Sequence, residues 1–574
     1  MARVALAGST EMRVCSLALL LLCSAVQAQF PDQNADLILQ GGEIRTPAGW
    51  VRAMAVRDGV IVAVGDAASV AALRGTSTQV IDLAGATVLP GLHDMHVHPQ
   101  GGGSGQQQCR FPQGSTLEIV QDALAACVAE RDSGEWITGG QWDAASIGSP
   151  PHRAMLDAVA PGNPVVLTDI SGHSAWANSA ALEIAGITAS TPNPQGGVIE
   201  RDAAGNATGV LRESAAGLVR GRVPPPGPDQ LVDSLRYSLD LMLSHGITSF
   251  TDAVISEGSM RAYAELADRG ILKQRVRGCI VWNPASGPIE AVPSPASPLA
   301  RANLYRRDRF SPDCVKLLLD GVPTDGHTAA MIEPYADAAP SDAERSRGIL
   351  MMPQETLDAT LVALDAQGFT VKMHAAGDAA VRAGLDAIAA ARDANGFSGI
   401  LHDVGHNSFV EMSDIRRARG IGATLEMSPY IWYPNPIIPD IARAIGPERM
   451  ERWIPVRDAI EAGVLTVPGS DWPVVPEVNP WIGIETLVTR QVPGGGGERL
   501  GDPISLEQAI DMFTVNAARQ MGNADRTGRI VPGLLADVIV IDRNPFDIPI
   551  TQVHETRVLK VLIEGEIVYD ESVP

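Results

Sequence analysis

The stretch LPGLHDMHVHP, residues 89–99, decides the reading of this chain. His96 and His98 stand two apart, and on a β-strand alternate residues point to the same side, so both imidazoles face one place. Histidine is the commonest metal ligand among side chains, and two of them at a strand end can grip one ion. Pro90 and Gly91 mark a chain that turns into this strand from another element. A metal site needs further ligands, and these must come from elsewhere in the sequence.

Working outward, the long middle of the chain alternates apolar strand runs with helical patterns, as in a parallel sheet wrapped by helices. Eight strands are expected, at 88–98, 246–253, 274–282, 313–320, 369–374, 400–406, 421–428 and 463–471, which is the number of a (β/α)8 TIM-like barrel. Helices are expected in TLDATLVALDAQG, GDAAVRAGLDAIAAARDANG and IPVRDAIEAG, and Ser505 with Gln508 forms a capping box. The first two strands are about 150 residues apart, far more than an ordinary loop, so an inserted subdomain is expected at about 99–240. Within it, HSAWANSAALEIAGI reads as helix and VIERDAAGNATGVLRE as a hairpin. A shorter insertion with His327 follows the fourth strand, and both insertions belong at the barrel's C-terminal mouth. Short alternating β runs occur only near the two ends, predicting an α/β protein with a composite β-sandwich from 29–87 and 525–574 around a barrel at 88–524.

Arg13, the apolar run VCSLALLLLCSAV and the small-residue pattern Val26-Gln27-Ala28 read as a secretory signal over residues 1–28, giving an exported, periplasmic or secreted protein. No stable membrane span is expected in the remainder. A net charge of −23 without a basic cluster excludes nucleic acid as a partner, and the oligomeric state has no signature here. Cys15 and Cys23 leave with the signal. Cys109 and Cys127 fall in one irregular region where pairing is open, whereas Cys279 and Cys314 read as small apolar core residues.

At the expected strand ends stand His96 and His98 on the first, His374 on the fifth, His406 on the sixth and Asp471 on the eighth. Lys316 lies among apolar residues of the fourth, where an amine is costly unless neutralised or paired. A carbamate that bridges two cations and an ion pair are the two alternatives for it.

LPGLHDMHVH, HSAWANSAALEIAGI, GGVIERDAAGNATGVLRE, GITSFTDA, VKLLLDG, HAAGDAAV, GSDWPV and GRIVPGLLADVIVIDRNPF together resemble the amidohydrolase superfamily, in its amidohydrolase 3 branch of YtcJ-like and N-substituted formamide deformylase-like proteins. The resemblance implies one or two divalent metal ions, zinc foremost, on His96, His98, carbamylated Lys316, His374 and His406, with Asp471 as catalytic acid and base. It implies hydrolysis of a carbon–nitrogen bond in a small non-peptide amide, formamide or cyclic amide by metal-activated hydroxide. Ester or lactone hydrolysis on the same site, or a catalytically drifted ligand-binding member, are the alternatives. His173, His327 and Trp176 are candidates for substrate contact, against solvated-loop and packing alternatives. Asp94, Asp252 and Asp378 read as structural, and His152, His245, His402 and His554 as ordinary packing or surface residues. Where the family often has arginine-x-glutamate before the sixth-strand histidine, this chain has Asp403, Val404 and Gly405, so a contact that supports a ligand is in doubt.

Overall fold

The computed structural model describes residues 34–105, 108–282, 297–324, 326–338, 346–428 and 430–573. The expected signal, with Cys15 and Cys23, lies outside the described residues.

Eight parallel strands pair in chain order: Leu92–Val97, Ile247–Ile255, Arg275–Val281, Phe310–Leu318, Thr370–Ala375, Asp403–His406, Thr424–Met427 and Leu465–Pro468. Beyond the first and eighth, the Asp471 amide donates to the His96 carbonyl at 2.7 Å and the His98 amide to Trp472 at 2.8 Å, which brings the sheet round on itself. The strands can be short and almost wholly buried because helices cover their outer face. Helix Asp378–Asn395 shows how: Val381, Leu385, Ile388 and Ala391 recur at three- and four-residue intervals and are all buried.

A second eight-stranded sheet joins strands from residues 35–90 to strands from residues 538–570, with Val538–Ile541 antiparallel to Thr87–Pro90. The stretch expected as one strand over 88–98 is therefore two. Thr87–Pro90 belongs to the terminal sheet and Leu92–Val97 to the barrel. Gly91 joins them, and a Cβ there would stand 2.2 Å from Thr248 Oγ1, so the crossing needs glycine.

The insertion carries a six-stranded sheet. HSAWAN, expected as helix, is strand Ser174–Ala177; the helix begins only at Ser179, capped by the Asn178 side chain. Tertiary pairing on both sides overrides the helical pattern there. The Ser505–Gln508 capping box forms as expected. Among the described residues, no helix is long and apolar enough to cross a membrane.

Cys109 and Cys127 are disulfide-bonded. Cys279 and Cys314 are bonded as well, contrary to their reading as unpaired core residues. They face each other in register between the third and fourth strands, a pairing of residues 35 apart that only the parallel sheet creates. Between the barrel and the terminal sheet, buried Arg275 pairs with Asp537 at 3.1 Å and Glu564 at 2.7 Å.

Arg275→Met leaves the buried Asp537 carboxylate uncompensated, so a loss of about 3 kcal/mol is expected, read as a lower thermal unfolding temperature of the full chain. Peptide mapping with an alkylating reagent is expected to label Cys109, Cys127, Cys279 and Cys314 only after reduction.

Candidate active site

The C-terminal strand ends gather His96, His98, Lys316, His374, His406 and Asp471 around one cavity mouth. His96 and His406 ring centres are 4.7 Å apart, those of His374 and His406 4.2 Å, and those of His96 and His98 5.3 Å. Lys316 Nζ lies 3.2 Å from His96 Nε2, and His98 Nε2 lies 2.9 Å from Asp471 Oδ1. His96, His98 and Asp471 offer ligand atoms all within 4.8 Å of one another.

Three of the histidines are oriented by a hydrogen-bond partner on Nδ1. His96 Nδ1 meets Glu426 Oε2 at 2.5 Å, His374 Nδ1 meets Asp320 Oδ1 at 3.0 Å, and His406 Nδ1 meets Ser428 Oγ at 3.2 Å. That leaves each Nε2 for the centre of the site, and His406 Nε2 is buried without a hydrogen-bond partner. Burial, reinforced by neighbouring positive groups, holds all three rings well below the ordinary histidine range. They are neutral, the form that binds a metal. Imidazoles held by a partner on the far nitrogen, an adjacent carboxylate and an unpaired inward nitrogen are a donor set that fits a divalent ion.

Two buried lysines behave differently. Lys372 is fully engaged, 2.9 Å from Asp403 Oδ1 and 3.0 Å from Glu426 Oε2. Lys316 has no carboxylate within ion-pair distance among the described residues, and burial with the nearby Lys372 charge brings its amine down to about 8.

Glu426 also resolves the departure before His406. A Cβ on Gly405 would stand 2.7 Å from Glu426 Oε2, so the seventh strand's glutamate fills the space beside the sixth strand, while Asp403 anchors Lys372. Glu426 Oε2 supports the ligand candidate His96. Glu426, Lys372 and Asp320 went unread in the sequence, although a charge inside an apolar strand run is the same signal that singled out Lys316.

The cavity occupies about 330 Å³, and His173, His374, His406 and Asp471 line it. His173 comes from the insertion; its Nδ1 meets Glu213 Oε2 at 2.8 Å, and Thr328 Oγ1 donates to Glu213 Oε1 at 2.5 Å. Burial opposes its charge, but the Glu213 carboxylate outweighs it and holds the ring up at about 9. His327 is placed otherwise, with Nε2 2.7 Å from Asp337 and its ring stacked on Tyr335, away from the cavity lining. Trp176 is fully buried against Trp142 in the core of the insertion and does not line the cavity either. Asp94 accepts from the His96 and Ser470 amides, as its structural reading requires. His402 packs against Asp365, His554 against Glu485, and His152 caps a short helix.

Several key residues hold a left-handed backbone without being glycine: Glu213 at φ 50°, Asp471 at φ 57° and His406 at φ 72°. Such conformations cost on the order of 1–3 kcal/mol each and persist where function over-determines them.

The amidohydrolase family's sequence profile matches residues 79–569. The chain is 29% identical to YtcJ of Bacillus subtilis (strain 168) over 532 residues, spanning 91% of this chain and 96% of that protein. It is 27% identical to the N-substituted formamide deformylase of Arthrobacter pascens over 562 residues, spanning 94% and 99%. The crystal structure of a metal-dependent hydrolase from Pyrococcus furiosus shares the fold with a TM-score of 0.66 at 23% identity, over 89% of this chain and 100% of that one. With the profile running from the terminal sheet through the whole barrel and back, this chain belongs to the amidohydrolase family.

Proposed function

We propose that the protein is an exported metal-dependent hydrolase that cleaves a carbon–nitrogen bond in a small non-peptide amide, formamide or cyclic amide. The observation that carries this reading is the convergence of four histidines, Lys316 and Asp471, with three imidazoles held through Nδ1 and His406 Nε2 left without a partner. Similarity to an N-substituted formamide deformylase favours the carbon–nitrogen bond. Two disulfides favour an oxidising compartment and hence export through the segment 1–28.

One or two divalent ions, zinc foremost for nitrogen donors, would be held by His96, His98, His374, His406 and Lys316. Such ions supply Lewis acidity, which polarises a carbonyl and lowers the pKa of water toward about 7. The unpaired Lys316 amine is suited to add carbon dioxide, forming an N–C bond and releasing a proton to give a carbamate anion. Asp471 Oδ1 takes the proton of the attacking water and returns it to the departing nitrogen, because an amide nitrogen leaves poorly unless protonated. His173, fixed by Glu213, hydrogen-bonds the carbonyl oxygen as negative charge develops there. The buried glutamate on His96 keeps that ring aimed inward.

Zinc-reconstituted protein is expected to hydrolyse members of an amide and formamide panel. His406→Ala is expected to lose bound metal by elemental analysis; Asp471→Asn should keep metal and lose about 10²–10⁴-fold in kcat. A wild-type protein that retains no divalent ion, or hydrolysis unaffected by Asp471→Asn, overturns the reading. Glu426→Gln is expected to weaken zinc affinity about 10–100-fold in chelator competition, with the fold intact by circular dichroism.

A further inference from the structure

Beside the cavity at the histidines lies a second chamber of about 590 Å³. The two share Ile170, Thr324, Pro436 and Ile437 in their walls, so only these residues' thickness stands between them. Both volumes fall in the range that takes a small organic ligand or a large part of one. Their walls differ in chemistry. The first is mostly apolar beyond the histidines, with Tyr430, Ile431, Tyr433 and Val474 on it. The second carries Arg201, Arg212 and Arg443 together with four carboxylates.

Most of those charges are hydrogen-bonded, while Asp143 Oδ2 is buried without a partner. Arg201 donates to the carbonyls of Ala189 at 2.9 Å and Gly205 at 3.1 Å, Arg212 pairs with Glu200 at 3.0 Å, and Arg443 pairs with Asp440. Asp169 accepts from Ser171 at 2.5 Å and the Ser174 amide at 2.8 Å, and Asp143 caps a helix through the Ser146 amide at 2.9 Å. With three guanidinium groups and four carboxylates on one wall, a charged ligand group of either sign meets groups of its own sign, whereas hydroxyls can donate to carboxylate oxygens such as Asp143 Oδ2 and accept from guanidinium N–H groups.

We infer that the substrate is two-part: an apolar segment beside the scissile bond, continuing past the shared Ile170, Thr324, Pro436 and Ile437 into a neutral, polyhydroxylated tail that occupies the second chamber. This rests on the hydrolase reading for which bond is cut, but the binding of the tail does not require cleavage.

The test uses N-hexylacetamide and acetamidohexyl β-glucoside, which share the amide and the alkyl chain. Calorimetry on the full-length protein, with and without zinc, is expected to show the glucoside binding about tenfold tighter, and zinc-loaded protein to give it about tenfold higher kcat/KM. Ala145→Trp and Ser149→Trp, at exposed positions in the chamber wall, fill the chamber without touching the first cavity. Either variant is expected to abolish the advantage of the glucoside and leave N-hexylacetamide unchanged. Equal binding of the two probes, no binding of the glucoside, or an advantage that survives both tryptophans overturns the inference. If the glucoside keeps its tryptophan-sensitive binding advantage and neither amide is cleaved, the chamber assignment stands and the carbon–nitrogen hydrolase reading falls.

Discussion

Two amines buried inside a closed sheet are the constraint around which the site is organised. An ammonium group inside a barrel loses its hydration, and it stays charged only when carboxylates take the place of that water. Lys372 has two, Asp403 and Glu426, and Gln520 donates to the other Asp403 oxygen at 2.9 Å. Lys316, on the neighbouring strand, has none among the described residues and lies against His96 instead. The contrast separates an ion-paired lysine from one without a counter-ion on adjacent strands. Glu426 ties the two together, since the oxygen that neutralises Lys372 also accepts from His96.

The same economy shapes the backbone. A histidine and an aspartate sit in left-handed conformations at or just past the ends of short strands, where a glycine would be less strained, and both side chains lie against histidines of the first strand's end. Glu213 shares this conformation on the insertion, and through His173 it brings a third element to the site.

Much of this was legible because the barrel turns sequence spacing into geometry. His96 lies on the first strand and His98 just past its end, and His374, His406 and Asp471 lie at or just past strand ends, so counting strands sufficed to bring them to one rim. Lys316 was legible as a charge in an apolar run. Lys372 and Glu426 show the limit of that signal: each is an isolated charge whose partner stands on an adjacent strand, and parallel register is not written in either sequence alone. Cys279 and Cys314 escaped for the same reason. Trp176 and His327 are a different case. Their insertions made them candidates for substrate contact, but Trp176 is buried in the insertion's own core and His327 pairs locally with Asp337.

The insertion is then better understood as a wall of the site than as an appendage. Gln141, itself at φ 78°, donates to the Pro473 carbonyl at 2.8 Å and so ties the insertion's sheet to the loop that carries Asp471. Thr328, on the loop after the fourth strand, holds Glu213 from the barrel side. His173 is thereby positioned by contacts to two barrel loops at once, with its ring centre 4.9 Å from that of His374. The barrel carries its groups on strand ends, and the insertion, anchored on both sides, places a further side chain beside them. Reactivity is thus set by strands whose register tolerates almost no change, and the shape of the accepted molecule by a separately folded sheet that can vary without disturbing them.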